Sequence, residues 1–174
     1  QDLDWSGLKH LLRGRRSLRS FDASRLPTPE VLHSIARTAI KSPSVCNRQT
    51  GRLHVFTGEK VKQLLEYQTG NRGFGHQVPL LFVVTSDMRF FLSRKERKQP
   101  GIDGGLFALQ TVFAIQSEGM GSVCLNWCVD HNSDLKLREI AGIPEHENVI
   151  MLIACGYPSR WRSGGSQEML VVLP

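Results

Sequence analysis

A chain of 174 residues with 40% hydrophobic and 22% charged residues can bury one sizeable core and is short for two, so a single domain over 1–174 is expected. Its longest apolar runs, such as Val78 to Val84 and Val149 to Cys155, fall far below the roughly 20 residues of a membrane helix, which argues against a bilayer span. The formal net charge of +6 admits nucleic acid, an acidic membrane surface or an anionic ligand.

The opening Gln1-Asp2-Leu3-Asp4 has neither a basic nor an apolar leader pattern, and a cytoplasmic protein is expected. Trp5, Leu8, Leu11 and Leu12 recur at helical spacing and predict a first helix. It runs into Arg15-Arg16-Ser17-Leu18-Arg19-Ser20 and Phe21, three guanidiniums and two hydroxyls in one short segment. Arginine offers a permanently charged fork matching phosphate oxygens, and serine adds a small neutral donor, so the segment reads as an anion cradle. The alternative is a solvated basic face at a helix end.

Thr28 as N-cap and Pro29 at the first position predict a second helix through Val31, Ile35, Ala36, Ala39 and Ile40, ending before Pro43. A strand over 52–57, a helix over 59–68, a glycine-rich turn over 70–75 and a buried central strand over 80–85 follow. Residues 87–101 are polar and basic, a surface helix or loop and a candidate lid. A largely buried helix from Ile102 to Gly119, a strand over 123–127, a short helix over 135–141 closed by Gly142, and a buried strand over 149–155 complete the pattern. Met169 to Leu173 reads as a lone terminal strand, which invites exchange with a partner subunit. Interleaved helices and strands with unequal connections predict an α+β fold in three layers, helices packed on a mixed sheet. Cys46, Cys124, Cys128 and Cys155 have no metal-ligand spacing and are expected to be buried free thiols, so no metal is expected. The basic residues lack interleaved aromatics, which favours a small anion over nucleic acid.

Four segments, RRSLRSF at 15–21, KSPSVCNRQ at 41–49, IDGGLFALQ at 102–110, and EGMGSVCLNW at 118–127 with IACGYP at 153–158, together resemble the FMN-dependent nitroreductase family, in a compact form. The resemblance implies a three-layer fold with a mostly antiparallel sheet, a homodimer, and bound FMN. It assigns Arg15, Arg16 and Ser17 to the FMN phosphate and Arg19 to the flavin N1 edge. A fixed cation there stabilises negative charge on the electron-rich ring, which makes Arg19 the residue expected to tune the chemistry. Pro43, Ser44 and Asn47 are assigned to the flavin of a partner subunit, although Ser and Asn after proline are also ordinary turn formers. Asn71 is assigned to the pyrimidine or ribityl part, its glycine-rich setting equally suiting a plain loop. A main-chain N–H between Val123 and Asn126, with Leu125 and Asn126 foremost, is assigned to flavin N5. Trp127 either closes the pocket or belongs to the core. The family's late phosphate ligand is either replaced by Arg160 or Arg162 or lost, since the surrounding pattern departs from its usual Ser-x-Arg-Arg.

The implied activity is electron transfer from NAD(P)H to a nitroaromatic or quinone-like acceptor by two half-reactions, with His54, His76 and His131 left to structural or surface roles. A flavin-binding protein with little turnover is the alternative within the same fold.

Overall fold

The computed structural model describes residues 5–159. Helix α1 spans Ser6–Gly14 and α2 spans Pro29–Ala39; β1 (Gly51–Thr57) leads into α3 (Glu59–Leu65). Strand β2 (Leu80–Asp87), the long helix α4 (Gln99–Ser117), β3 (Gly121–Asn126), α5 (His131–Ala141) and β4 (Glu147–Gly156) follow. The strands form one sheet in the order β1-β2-β4-β3 with every neighbouring pair antiparallel.

The three layers follow from strand alternation. On β2, Leu81 and Val83 face one cluster with Val61, Leu64 and Leu65 of α3 and Leu137 of α5. Leu80, Phe82 and Val84 face the other, with Ile35 and Ala39 of α2 and Phe107, Ala108, Val112 and Ile115 of α4. Every residue of β2 is buried, as a central strand covered on both faces demands. Each fully buried large aliphatic side chain contributes about 1.5–3 kcal/mol.

Local chemistry sets the ends. Asp130 caps α5, its Oδ1 accepting from the Ser133 N–H at 3.0 Å, and Gly142 ends the helix in the left-handed region at φ 67°. This starts α5 four residues before the apolar pattern at Leu135 does. Thr28 takes the expected N-cap position without a side-chain capping bond, and Pro29 opens α2 as expected. Helix α3 stops at Leu65 rather than Gln68, because Gln68 turns to an extended backbone and its side chain caps the next turn. The segment after β2 is irregular, with short 3-10 turns at Met88–Phe90 and Arg94–Glu96.

Candidate functional site

The arginine segment leaves α1 extended and lies along the outer edge of β3. Ser17 bridges Ser122 in parallel, and the Leu18 N–H donates to the Ser122 carbonyl at 2.9 Å. Close approach requires Gly121, where an added Cβ would lie 2.3 Å from Leu18 Cδ2. Beyond Arg19, Phe21 is buried and bridges Pro158, the Asp22 N–H donates to the Tyr157 carbonyl at 2.8 Å, and the Ser20 and Ser159 hydroxyls are 2.6 Å apart. The segment is thus fastened on both sides of Arg19. Arg160 and Arg162 lie outside the described residues, as do residues 169–173 where the sequence predicts a terminal strand, but Ser159 directly before Arg160 is held against Ser20.

Arg15 and Arg19 are exposed, and neither forms an ion pair among the described residues. Desolvation by the surrounding protein raises the Cys124 thiol pKa and Arg15 opposes that rise, which sets Arg15 beside β3. Main-chain alternation then decides which β3 amides are available. Ser122 turns its carbonyl away from β4 toward Leu18, and Asn126 turns its carbonyl outward to accept from Gln68 Nε2 at 3.0 Å. The N–H groups of Ser122, Cys124 and Asn126 therefore face the outer edge, while those of Val123 and Leu125 face β4. Of the two residues foremost in the sequence reading, Asn126 presents its amide at the edge and Leu125 does not; the Leu125 side chain lies in the core. Cys124 offers the second outward amide, which the strand register shows and its residue type does not.

Asn71 reaches the same end of β3 through Gln68. Its amide nitrogen donates to the Leu65 carbonyl at 2.7 Å and to the Gln68 carbonyl, so its donors hold the turn after α3. Gln68 was missed by sequence reasoning; a helical reading of 59–68 hid its extended backbone.

Pro43, Ser44 and Asn47 are elsewhere. They follow α2 and precede β1, the opposite edge of the sheet from β3, about 14 Å away at ordinary strand spacing. Pro43 and Asn47 line a groove of about 790 Å³ with Gln49, Arg52, Leu53 and Phe107. The loop is built tightly: Cys46, Asn47 and Gln49 have φ of 49°, 52° and 52°, conformations non-glycine residues rarely adopt. Ser44 Oγ accepts from the Gln49 N–H at 2.9 Å, and buried Asp103 of α4 accepts from the Val45 N–H at 3.1 Å. Strain retained by such bracing clusters at functional sites. One chain therefore does not bring these residues to the arginine segment.

A second polar cluster closes the far end of the sheet. Buried Asp87 accepts from Arg89 Nη2 at 2.7 Å and Arg52 Nη2 at 3.3 Å. The Arg89 hydrogen bonds, aided by the Arg52 charge, hold its pKa at about 2. Burial opposes ionisation of Glu147, but the Thr85 hydroxyl and His54, at 2.6 Å, outweigh it and lower its pKa. His54 is therefore structural, as expected.

The thiols depart from expectation: all four are free, but only Cys155 is buried, its pKa pushed well up by desolvation. Cys46, Cys124 and Cys128 are exposed, because apolar neighbours in sequence alternate sides in a strand and leave Cys124 facing outward. Trp127 takes the core reading, packing on the α3/α5 cluster while its indole N–H donates to Asp134 at 2.8 Å. Among the described residues no cluster of His, Cys, Asp or Glu could hold a metal ion.

The fold is the α+β fold of solved nitroreductase-like structures. Residues 12–70 match the Nitroreductase family model, upholding the resemblance read from the motifs. An NADH dehydrogenase of Thermus thermophilus is 24% identical, with 83% of each chain covered. Among solved structures, an FMN-dependent nitroreductase from Clostridium difficile is 23% identical with a TM-score of 0.76, covering 91% of this chain and 92% of that one. A nitroreductase family protein from Streptococcus pneumoniae is 18% identical with a TM-score of 0.78, covering 96% of each.

Proposed function

We propose that the protein is an FMN-dependent oxidoreductase that takes electrons from NAD(P)H and passes them to a small oxidised acceptor, nitroaromatic or quinone-like. The observation that carries this reading is the edge of β3, where Arg15 and Arg19 stand without acidic partners among the described residues, beside outward-facing amides. Unpaired guanidiniums fixed on a braced backbone match a phosphate, and free main-chain donors match a polar ring edge. Arg15, Arg16 and Ser17 would hold the phosphate, with Arg160 or Arg162 completing it, and Arg19 would face the electron-rich side of the ring. The Asn126 amide would hydrogen-bond N5. When bound, FMN supplies hydride acceptance and onward electron transfer, so no protein nucleophile is needed.

The placement of Pro43, Ser44 and Asn47 at the opposite sheet edge supports a homodimer in which each chain completes its partner's site. Exposed apolar stripes fit such pairing: Trp5 at the N-cap of α1 with Leu8 and Leu12 on that helix, which has no fully buried residue among those described, and Ile102, Leu106 and Leu109 on α4. The test is anaerobic mixing of FMN-loaded protein with NADH or NADPH. Bleaching of the flavin spectrum, followed by its return on adding a quinone or nitroaromatic, is expected. A spectrum unchanged by both nucleotides contradicts the enzymatic reading and leaves a flavin-binding role.

A further inference from the structure

The segment after β2 carries five basic residues against one acid between 88 and 98. Its acid is already spent, since the Glu96 carboxylate accepts from Arg48 Nη1 at 2.6 Å and from the Leu92 N–H at 2.8 Å. Arg89 is likewise committed to Asp87. Arg94, Lys95, Arg97 and Lys98 remain exposed with no ion pair among the described residues. In the same segment Met88, Phe90 and Leu92 are exposed, the last at 84%, the most exposed large hydrophobic residue among those described.

This apolar tip is held rather than loose. Ser93 and Glu96 form a reciprocal capping box, and the Arg48 and Arg52 guanidiniums lie over Phe91 and Phe90 at 6.0 and 5.7 Å. A braced loop that keeps an aliphatic side chain in water, ringed by uncompensated cations, has the chemistry of a peripheral bilayer contact: basic groups meet anionic headgroups while the tip enters the acyl boundary. A free phosphate would engage the cations and leave Leu92 and Met88 without a role. Nucleic acid would do the same, because its bases are gripped by stacking aromatics and here both phenylalanines back onto arginines.

We propose that residues 88–98 dock the protein on an anionic lipid surface. Such peripheral contact needs no spanning segment, and among the described residues no helix is long and apolar enough to cross a membrane. The flavin reading is not required for it, and the test uses no flavin.

The experiment is co-sedimentation of the full chain with phosphatidylcholine vesicles, with and without 30% phosphatidylglycerol. Binding is expected only with phosphatidylglycerol and is lost at high salt. Each neutralised cation costs on the order of fivefold, so Arg94→Gln with Lys95→Gln weakens binding about twentyfold. Leu92→Ser weakens it about tenfold, the loss expected from withdrawing one leucine from hydrocarbon. These side chains have no hydrogen bond or ion pair among the described residues, so an unchanged thermal midpoint certifies each variant. No binding to either vesicle overturns the proposal. So does phosphatidylglycerol binding indifferent to Leu92→Ser, which marks simple charge adsorption, or equal competition by duplex DNA, which marks a polyanion site. A change of oligomeric state in Leu92→Ser also overturns it, assigning the tip to a subunit contact.

Discussion

The two ends of this sheet use arginine in opposite ways. At the far end, Arg52 and Arg89 converge on buried Asp87, and Arg138 of α5 donates to Asp134 and to the Glu147 carbonyl at 2.7 Å. At the outer edge of β3, Arg15 and Arg19 sit on a backbone fastened to β3 and to residues 157–159, yet no carboxylate meets them among the described residues. Charges satisfied inside the fold hold it together; charges held in place but unsatisfied await something from outside. On the proposed reading, the contrast separates structural cations from those offered to a ligand better than their number does, since both ends are basic.

Substitutions at the two ends should therefore have opposite signatures. Asp87→Ala removes the buried acceptor shared by two solvent-facing guanidiniums and should cost about 2–3 kcal/mol of stability in denaturant unfolding, with FMN affinity retained in the folded fraction. If flavin binding fell with stability untouched, the division between the ends would be wrong. Arg15→Ala should do the reverse: about a hundredfold weaker FMN binding by titration, from lost charge-assisted hydrogen bonds worth about 1.5–3 kcal/mol each, with the thermal midpoint unmoved.

Acid provides a probe without mutation. Because the folded pKa of Asp87 lies at about 2, below its ordinary value of 3.8, its contribution is fully present above pH 4. It is lost as pH falls from about 4 to about 2, amounting to about 2 kcal/mol. Stability against pH should show this loss in the native chain and lack it in Asp87→Asn. The smallest effect is expected at Arg19→Ala, which should keep much of the FMN and slow its reduction by NAD(P)H about tenfold, a change of about 1.4 kcal/mol in the barrier. Unaltered single-turnover reduction with flavin still bound contradicts a role at N1.

What the sequence revealed was mostly what local pattern governs. The helical spacing of Leu8, Leu11 and Leu12, the Thr28-Pro29 start and the Gly142 stop each rest on chemistry contained within a few residues. The apolar run at 80–85 announced β2, but its extension through Ser86 and Asp87 did not, because polar residues continue a buried strand only when Thr50, Arg52 and Arg89 come from elsewhere to satisfy them. The motifs located the anion cradle and the glycines before β3. They did not show that Gly121 makes room for Leu18, that register turns the Asn126 amide outward and the Leu125 amide inward, or that Cys124 is exposed. Those facts belong to pairing between distant segments, Leu18 with Gly121 and β3 with β4.

The central claim, that the arginines beside β3 wait for a phosphate attached to a flavin, is tested most directly by titrating the purified chain with FMN and with riboflavin, which differ only in that phosphate. The account predicts FMN binding at least about a hundredfold tighter than riboflavin, with the difference largely erased in Arg15→Ala. Equal affinity for the two, or a preference for FMN that survives Arg15→Ala intact, would contradict it.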